Sequence, residues 1–157
     1  MSTEIERKFL VHGTDWRQGD PVRLRQGYLN RDRERTVRVR IAGSRAYLTI
    51  KGLTQGVSRP EFEYEIPLHD GEAFLTLCDG APLEKDRYTL QHAVERWEID
   101  EFLGVNAGLV IAEIELKDER QKFERPGWLS TEVTDDPRYF NSSLIAAPYG
   151  TWRNASP

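Results

Sequence analysis

Charged side chains of this chain recur at every second position, in short runs that carry a single sign. Glutamates stand at Glu61, Glu63 and Glu65, and arginines at Arg38 and Arg40. Because successive side chains of a strand point to opposite faces, each run places its charges on one face. Carboxylates hold hard divalent cations such as Mg²⁺ or Mn²⁺, and Arg and Lys bind phosphate oxygens. Together, such runs suit the binding of a polyanion along with a divalent cation.

The simplest alternative is an antiparallel sheet with one face in water, which also alternates apolar and polar residues. Two features weigh against it. Wet faces usually mix Thr, Ser and Gln with Lys, whereas whole segments here are almost purely acidic or purely basic. Like charges within one strand also repel each other unless an opposite charge lies between them. If the sheet closes into a barrel, these residues line its interior, where charge is costly unless water, ions or a ligand are present.

Strands are the main elements that must position these charges. Period-two alternation predicts strands over 4–11, 22–30, 36–41, 46–51, 61–66, 83–91, 94–102 and 109–117. We expect a bulge at Gly27 and a tight turn at Gly43. Helical patterns occur over 69–79, 118–123 and 139–145. No repeat or linker interrupts the chain, so one mainly β (α+β) domain is predicted over 1–157, with a few peripheral helices and a frayed end.

Composition disfavours several classes of protein. Lys plus Arg is 22 and Asp plus Glu is 26, a net charge of -4, so a nucleic-acid partner is not expected. The single Cys78 excludes a disulfide framework and is expected to be buried, and His12, His69 and His92 lack metal-ligand spacing. The N-terminus has no apolar leader, and no stretch approaches the about 18 to 20 apolar residues of a membrane span. We therefore expect a soluble cytoplasmic protein without a membrane partner.

The order of the charged motifs resembles that of the CYTH superfamily, the triphosphate tunnel metalloenzymes. The chain opens with Glu4-Ile5-Glu6-Arg7-Lys8, which reads E-x-E-x-K. Further matches follow in order: Arg38-Val39-Arg40, Thr49-Ile50-Lys51-Gly52, Arg59 to Ile66, Lys85-Asp86-Arg87-Tyr88, Trp97 to Asp100, Ala112 to Leu116 and Pro137 to Asn141. The resemblance covers essentially the whole chain. It implies a closed eight-stranded antiparallel β-barrel whose lumen binds a triphosphate and one or two divalent cations, in the short bacterial inorganic triphosphatase type.

The resemblance also implies roles for the matched side chains. Mg²⁺ or Mn²⁺ would be held by the carboxylates that match the family's acidic side, namely Glu4, Glu6, Glu61, Glu63, Glu113 and Glu115. The phosphates would be held by the matching cations, namely Lys8, Arg38, Arg40, Lys51, Lys85 and Arg87. Asp100 is a weaker candidate ligand on the same face as Glu98. The alternative role for any of these residues is a salt bridge in the lumen, and it has more weight for Glu65, Glu98, Asp100 and Lys117 than for the others.

No histidine matches a family position, so the base that activates water is expected elsewhere. Lys85, among other cations, would lose part of its affinity for a proton and could accept one directly or through Tyr28. Tyr28 would reach the lumen if Gly27 is a bulge. The alternative is an ordinary strand aromatic that packs at the end of the barrel. A Tyr28–Lys85 pair would favour an alkaline pH optimum.

Metal-dependent hydrolysis of inorganic triphosphate to diphosphate and phosphate is the leading prediction. One alternative keeps the tunnel but changes the substrate to thiamine triphosphate or a nucleoside triphosphate, including cyclisation of ATP as in class IV adenylyl cyclases. Another is a non-catalytic polyphosphate or nucleotide sensor. The carboxylate set is complete, which ranks the sensor last. A homodimer also stays open, because apolar outer strands could pair.

Overall fold

The computed structural model describes residues 2–154 as a closed barrel with short helices. The strands are β1 (Ser2–Val11), β2 (Val22–Asn30), β3 (Arg35–Ala42), β4 (Arg45–Gly52), β5 (Ser58–Ile66), β6 (Leu83–His92), β7 (Glu95–Phe102), β8 (Val110–Glu115) and β9 (Leu129–Glu132). Antiparallel pairing runs in the order β5-β4-β3-β2-β6-β7-β8-β1, and β1 also pairs with β5. The predicted eight-stranded barrel is therefore confirmed, with β9 as one extra strand on β1.

The barrel carries its apolar residues outward and its charges inward. On β3, Val39 and Ile41 are buried beneath helix α1 (Leu68–Leu77), whereas Arg38 and Arg40 line the interior. On the opposite wall, Trp97 of β7 is fully buried among outer aromatic residues supplied by loops. Helix and loops thus provide the apolar cover that an outward-facing strand side chain needs, and the interior is free to be polar.

An apolar cluster fills one end of the interior on the side of β6, β7 and β8. Leu83 and Phe102 continue the inward faces that carry Lys85 and Asp100, and both pack with the fully buried Leu144. Leu144 belongs to α2 (Asn141–Ala146), which follows a 3-10 turn over Pro137–Tyr139 and precedes α3 (Tyr149–Trp152). The C-terminal segment therefore forms part of this end of the barrel.

Three local predictions were wrong or incomplete. Gly27 is not a bulge: it pairs in register with Val39, and the irregularity lies between Tyr28 and Asn30. The segment 118–123 is not helical, because the Asp118 side chain accepts the Arg120 N–H at 2.7 Å and competes with a helical turn. Strand β9 and helix α3 were not predicted.

The predictions for Cys78, for the helix over 139–145 and for the chain end had mixed outcomes. Cys78 follows α1 and is only partly buried. The predicted helix over 139–145 is present as the 3-10 turn and α2. The expected frayed end lies largely in 155–157, outside the described residues. Between residues 2 and 154, no helix is both long and apolar enough to cross a membrane.

Gly27 is required by close packing of α1 on β2. A Cβ at Gly27 would lie 2.8 Å from Cys78 Cβ and 2.9 Å from its Sγ. We expect Gly27→Ala to lower the free energy of unfolding by about 1–3 kcal/mol, because β2 and the end of α1 must move apart. Urea denaturation measures this loss.

Gly127→Ala is the matched control, since a Cβ there would have no atom within 4 Å. Its free energy of unfolding should change by less than about 0.5 kcal/mol. Equal stability of the two variants would contradict the packing explanation.

Candidate active site

The barrel encloses a cavity of about 1480 Å³ that is lined by side chains from its strands. Every residue predicted for metal binding, phosphate binding or catalysis lies on its wall, including Tyr28. Glu98 lies there too, whereas Glu65 and Lys117 are not among the lining residues. Alternation along antiparallel strands explains why the predicted residues share one wall, because one parity of each strand faces the interior. Glu65 has the parity of Glu61 and Glu63 but lies near the end of β5, outside the cavity.

Carboxylates of β1 and β8 form the acidic side of the cavity. Glu6 pairs across the strands with Glu115, and Lys8 pairs with Glu113. Burial raises the pKa of Glu113, and the charge of Glu6 raises it further. Burial likewise raises the pKa of Glu115, with Glu4 and Glu6 adding to the effect. Lys8 Nζ lies 3.7 Å from Glu6 and 3.8 Å from Glu113. This one cation therefore does not neutralise all of the negative charge on the acidic side.

The other predicted metal ligands have different surroundings. Both oxygens of Glu4 accept hydrogen bonds from Lys51 Nζ, at 3.0 and 2.9 Å. Glu63 lies on the basic wall, where it accepts from Thr49 Oγ1 at 2.8 Å and from Arg40 Nη2 at 3.3 Å. Glu61 lines the cavity on the same strand as Glu63.

A hard divalent cation fits this donor set by charge and by ligand type. The supporting observation is the mutual repulsion of Glu6 and Glu113, which a cation between carboxylates would relieve. Within residues 2–154, however, no group of three metal-ligating side chains is already gathered around one point. The carboxylates of β1 and β8 would therefore have to draw together on binding.

The basic side has positive charge that is not neutralised within the protein. Arg38 and Arg40 each have a buried Nε with no hydrogen-bond acceptor among the described residues. Burial lowers the pKa of Arg40, and the neighbouring Arg38 and Arg87 lower it further. Buried guanidinium groups with free donors are suited to phosphate oxygens, which accept several hydrogen bonds at once.

Asp100 is not part of the acidic side, although it was a weaker candidate metal ligand. It is fully buried and accepts from Arg87 Nε at 2.7 Å and Nη2 at 2.9 Å. It also lies 2.7 Å from Lys85 Nζ. Burial alone would raise the pKa of Asp100, but Arg87 and Lys85 outweigh it and hold that pKa well below its usual range. Asp100 therefore anchors Lys85 and Arg87, two of the cations that are predicted to bind phosphate.

Lys85 is the buried cation whose proton is held least firmly. Its side chain is only 1 % exposed, and burial lowers its pKa to about 8, with Asp100 opposing the change. Tyr28 shares the cavity, and its hydroxyl lies 3.4 Å from Gln26 Nε2. No hydrogen bond joins Tyr28 to Lys85 among the contacts that the described residues make. The catalytic role of this pair stays a prediction.

Several polar residues of the cavity wall were not predicted, among them Arg59 and Asn141. Arg59 lines it from β5 and donates to Gly52 O at 3.1 Å and Thr36 Oγ1 at 3.3 Å. Its parity with Glu61 could have revealed it. Asn141 reaches Lys85 Nζ through Oδ1 at 2.9 Å. No spacing in the sequence indicates that contact, because it joins β6 to a C-terminal helix.

The Asp100 anchor predicts a large and pH-dependent loss of stability in Asp100→Asn. At pH 7 the variant leaves Lys85 and Arg87 without their buried counter-charge, so the free energy of unfolding should fall by about 3–5 kcal/mol. Because the folded-state pKa of Asp100 lies below the unfolded value of about 3.9, its stabilisation is present above that pH and is lost as pH falls through and below it. Urea unfolding at pH 7 and pH 3 should show the difference from wild type narrowing in acid.

Asp86→Asn is the control, because Asp86 pairs at 2.6 Å with Arg23, whose side chain is 56 % exposed. That change should cost no more than about 1 kcal/mol. A similar cost for both variants would argue against the anchoring role of Asp100.

Comparisons with known proteins agree with the geometry of the cavity. The model of the CYTH domain matches residues 2–148. An inorganic triphosphatase of Acetivibrio thermocellus is 48% identical over 155 residues, covering 98% of this chain and 99% of that protein. One of Nitrosomonas europaea is 36% identical over 146 residues, covering 90% and 96%. A crystal structure of an inorganic triphosphatase superimposes with a TM-score of 0.65 at 34% identity, covering 92% of this chain and 95% of the other. The fold, the charged lumen and these matches together place the chain in the CYTH domain family.

Proposed function

We propose that this chain is a divalent-metal-dependent triphosphatase that hydrolyses inorganic triphosphate to diphosphate and phosphate. The observation that carries the proposal is that one cavity has, on one side, arginines whose buried Nε atoms lack acceptors and, on the other, carboxylates that repel one another. A polyphosphate bound with a cation would satisfy both sides. The two relatives described above are named inorganic triphosphatases, which supports the same substrate.

The cations of β3, β4 and β6 would bind the phosphates. Arg38, Arg40, Lys51 and Arg87 line the cavity and would contribute positive charge, as Lys85 would while it carries its proton. Lys8, set between Glu6 and Glu113, would contact the substrate near the acidic side. Phosphoryl transfer depends chiefly on such positioning and charge stabilisation.

Mg²⁺ or Mn²⁺ is the proposed cofactor. When bound, it would polarise phosphate oxygens and lower the pKa of a coordinated water. The residues proposed to hold it are the cavity carboxylates Glu4, Glu6, Glu61, Glu63, Glu113 and Glu115. Of these, Glu6, Glu113 and Glu115 are the best suited, because Glu4 and Glu63 already accept hydrogen bonds from Lys51, Thr49 and Arg40.

Hydrolysis would proceed by attack of water on a terminal phosphorus. The water oxygen bonds to that phosphorus, and the bond to the bridging oxygen breaks, so that oxygen leaves with its electron pair as part of diphosphate. The proton of water passes to neutral Lys85, directly or through the Tyr28 hydroxyl. Because the pKa of Lys85 is about 8, a part of the enzyme has this base free near neutral pH and most of it does in alkali.

The proposed partner is a small triphosphate-containing molecule. A cytoplasmic location, a homodimer and the lack of nucleic-acid or membrane partners stay predictions from the sequence.

Phosphate release from a substrate panel tests the proposed activity. The panel is inorganic triphosphate, diphosphate, ATP and thiamine triphosphate, each with Mg²⁺, with Mn²⁺ and with chelator. We expect metal-dependent hydrolysis of inorganic triphosphate that falls at least about a hundredfold in Glu4→Gln/Glu6→Gln, because the acidic side loses charge where the cation is proposed to bind.

Glu65→Gln is the control, since Glu65 lies 3.8 Å from Arg45, is 55% exposed and does not line the cavity. It should keep wild-type turnover. Tight triphosphate binding without turnover would favour a sensor, and turnover of only an organic triphosphate would replace the proposed substrate.

Tyr28→Phe tests the proposed proton path. Removal of the hydroxyl should lower kcat on inorganic triphosphate by about a hundredfold if the proton passes through Tyr28. The pH dependence of kcat between pH 6 and 10 gives the readout, and Tyr64→Phe, at an outer position that is 59% exposed, is the matched control. Wild-type turnover of Tyr28→Phe at every pH would exclude the pair.

A further inference from the structure

The C-terminal segment contributes a polar side chain directly to the basic side of the tunnel. Asn141, the first residue of α2, lines the cavity and accepts a hydrogen bond from Lys85 Nζ at 2.9 Å. The amide oxygen must face Lys85, because an ammonium group only donates. Together with Asp100 at 2.7 Å, Asn141 accounts for two of the three ammonium protons.

The position of Asn141 is fixed by apolar and aromatic contacts on both sides of it. Leu144, one turn later, is fully buried against Leu83 and Phe102 in the apolar end of the barrel. The preceding Phe140 has Lys8 Nζ 5.5 Å and the Arg33 guanidinium 5.7 Å from the centre of its ring. Asn141 is therefore held in place by residues that form no hydrogen bond with Lys85.

The charges that face Lys85 explain why a neutral acceptor is useful there. Asp100 of β7 and, at longer range, Glu113 of β8 favour the ammonium form, whereas Arg87 of β6 disfavours it. Strand β2 brings the uncharged Leu24 opposite Lys85. A second carboxylate at the position of Asn141 would hold the ammonium, but it would also repel a polyphosphate. An amide oxygen orients the group without adding negative charge.

We propose that Asn141 is a positioning residue for Lys85, through which the C-terminal helix sets the orientation and the proton affinity of this ammonium group. The proposal rests on the triphosphatase function for its catalytic consequence. The control of Lys85 by Asn141 does not depend on that function. It makes the C-terminal segment a part of the active site.

Two substitutions with opposite effects test the proposal. Asn141→Leu removes the acceptor, so the titration of Lys85 should move down by about one pH unit. Asn141→Asp adds a carboxylate beside the ammonium, so the titration should move up by about one pH unit or more. The ¹⁵N shift of the Lys85 side chain, followed from pH 6 to 11 in the free protein, measures both directly. The rise of kcat with pH on inorganic triphosphate, which reports the loss of the Lys85 proton, should shift in the same directions.

Asn154→Asp is the matched control, because it makes the same chemical change at an exposed position of the same segment. It should leave the Lys85 titration within about 0.2 pH units of wild type. Thermal melts verify that each variant is folded. If Asn141→Leu fails to fold, Asn141→Asp, which keeps an acceptor of similar size, decides the question alone.

The titration of Lys85 tests the role of Asn141, and the activity of the wild-type protein tests the proposed function. Opposite shifts in the two variants support the proposal, and a wild-type titration in Asn141→Asp overturns it. Because the ¹⁵N measurement needs no turnover, a wild-type protein that lacks triphosphatase activity would refute the proposed function while the Lys85 shifts still decide the role of Asn141.

Discussion

One buried carboxylate, that of Asp100, provides the counter-charge that allows Lys85 and Arg87 to be buried in the barrel wall. Arginine and lysine cannot be buried side by side in a barrel without a counter-charge, because their desolvation and mutual repulsion would oppose folding. Asp100 accepts from both Arg87 and Lys85 while it is itself fully shielded from water. Asn141 is a further acceptor for Lys85, and Glu98 is a second partner for Arg87. The burial of both cations depends on this arrangement, and Asp100 opposes the fall in proton affinity that burial causes in Lys85.

Because the charged side chains face inward, the apolar side chains of the strands face the outside of the barrel. Residues that would form a core in an ordinary sheet, such as Val39 and Trp97, are on the outer surface of the strands here. Each stretch of outer wall therefore needs its own cover. Helix α1 covers β2, β3 and β4 so closely that a glycine is required at Gly27. Loops with aromatic residues cover the opposite wall, where Phe123 packs edge-on against Trp97 at 5.6 Å.

Period-two alternation was sufficient to predict much of the site. Once Arg38 and Arg40 face the interior, the side chains of matching parity on the other strands face it too, and the carboxylates and cations proposed for the site all line the cavity. The same reasoning could not reveal Asn141, because its contact with Lys85 depends on how a C-terminal helix packs across the barrel end. Nor could it reveal that Glu63 lies among arginines, since strand parity gives the face of a residue but not its neighbours across the lumen. The helix predicted over 118–123 failed for a local reason, the competition of the Asp118 side chain for a backbone N–H.

Strand β1 has different partners along its length. Its first half pairs with β5, its end pairs with β9, and its other edge pairs with β8 over Glu6 to Leu10. The contact between Glu6 and Glu115 thus joins residues that are far apart in the sequence, which slows folding through the entropy of closing a long loop. During synthesis on the ribosome, β2 to β5 can pair with sequence neighbours as they emerge, and β1 can then pair with β5. Pairing along the other edge of β1 must wait for β8. The acidic side of the tunnel is therefore assembled late, after most of the barrel wall already exists.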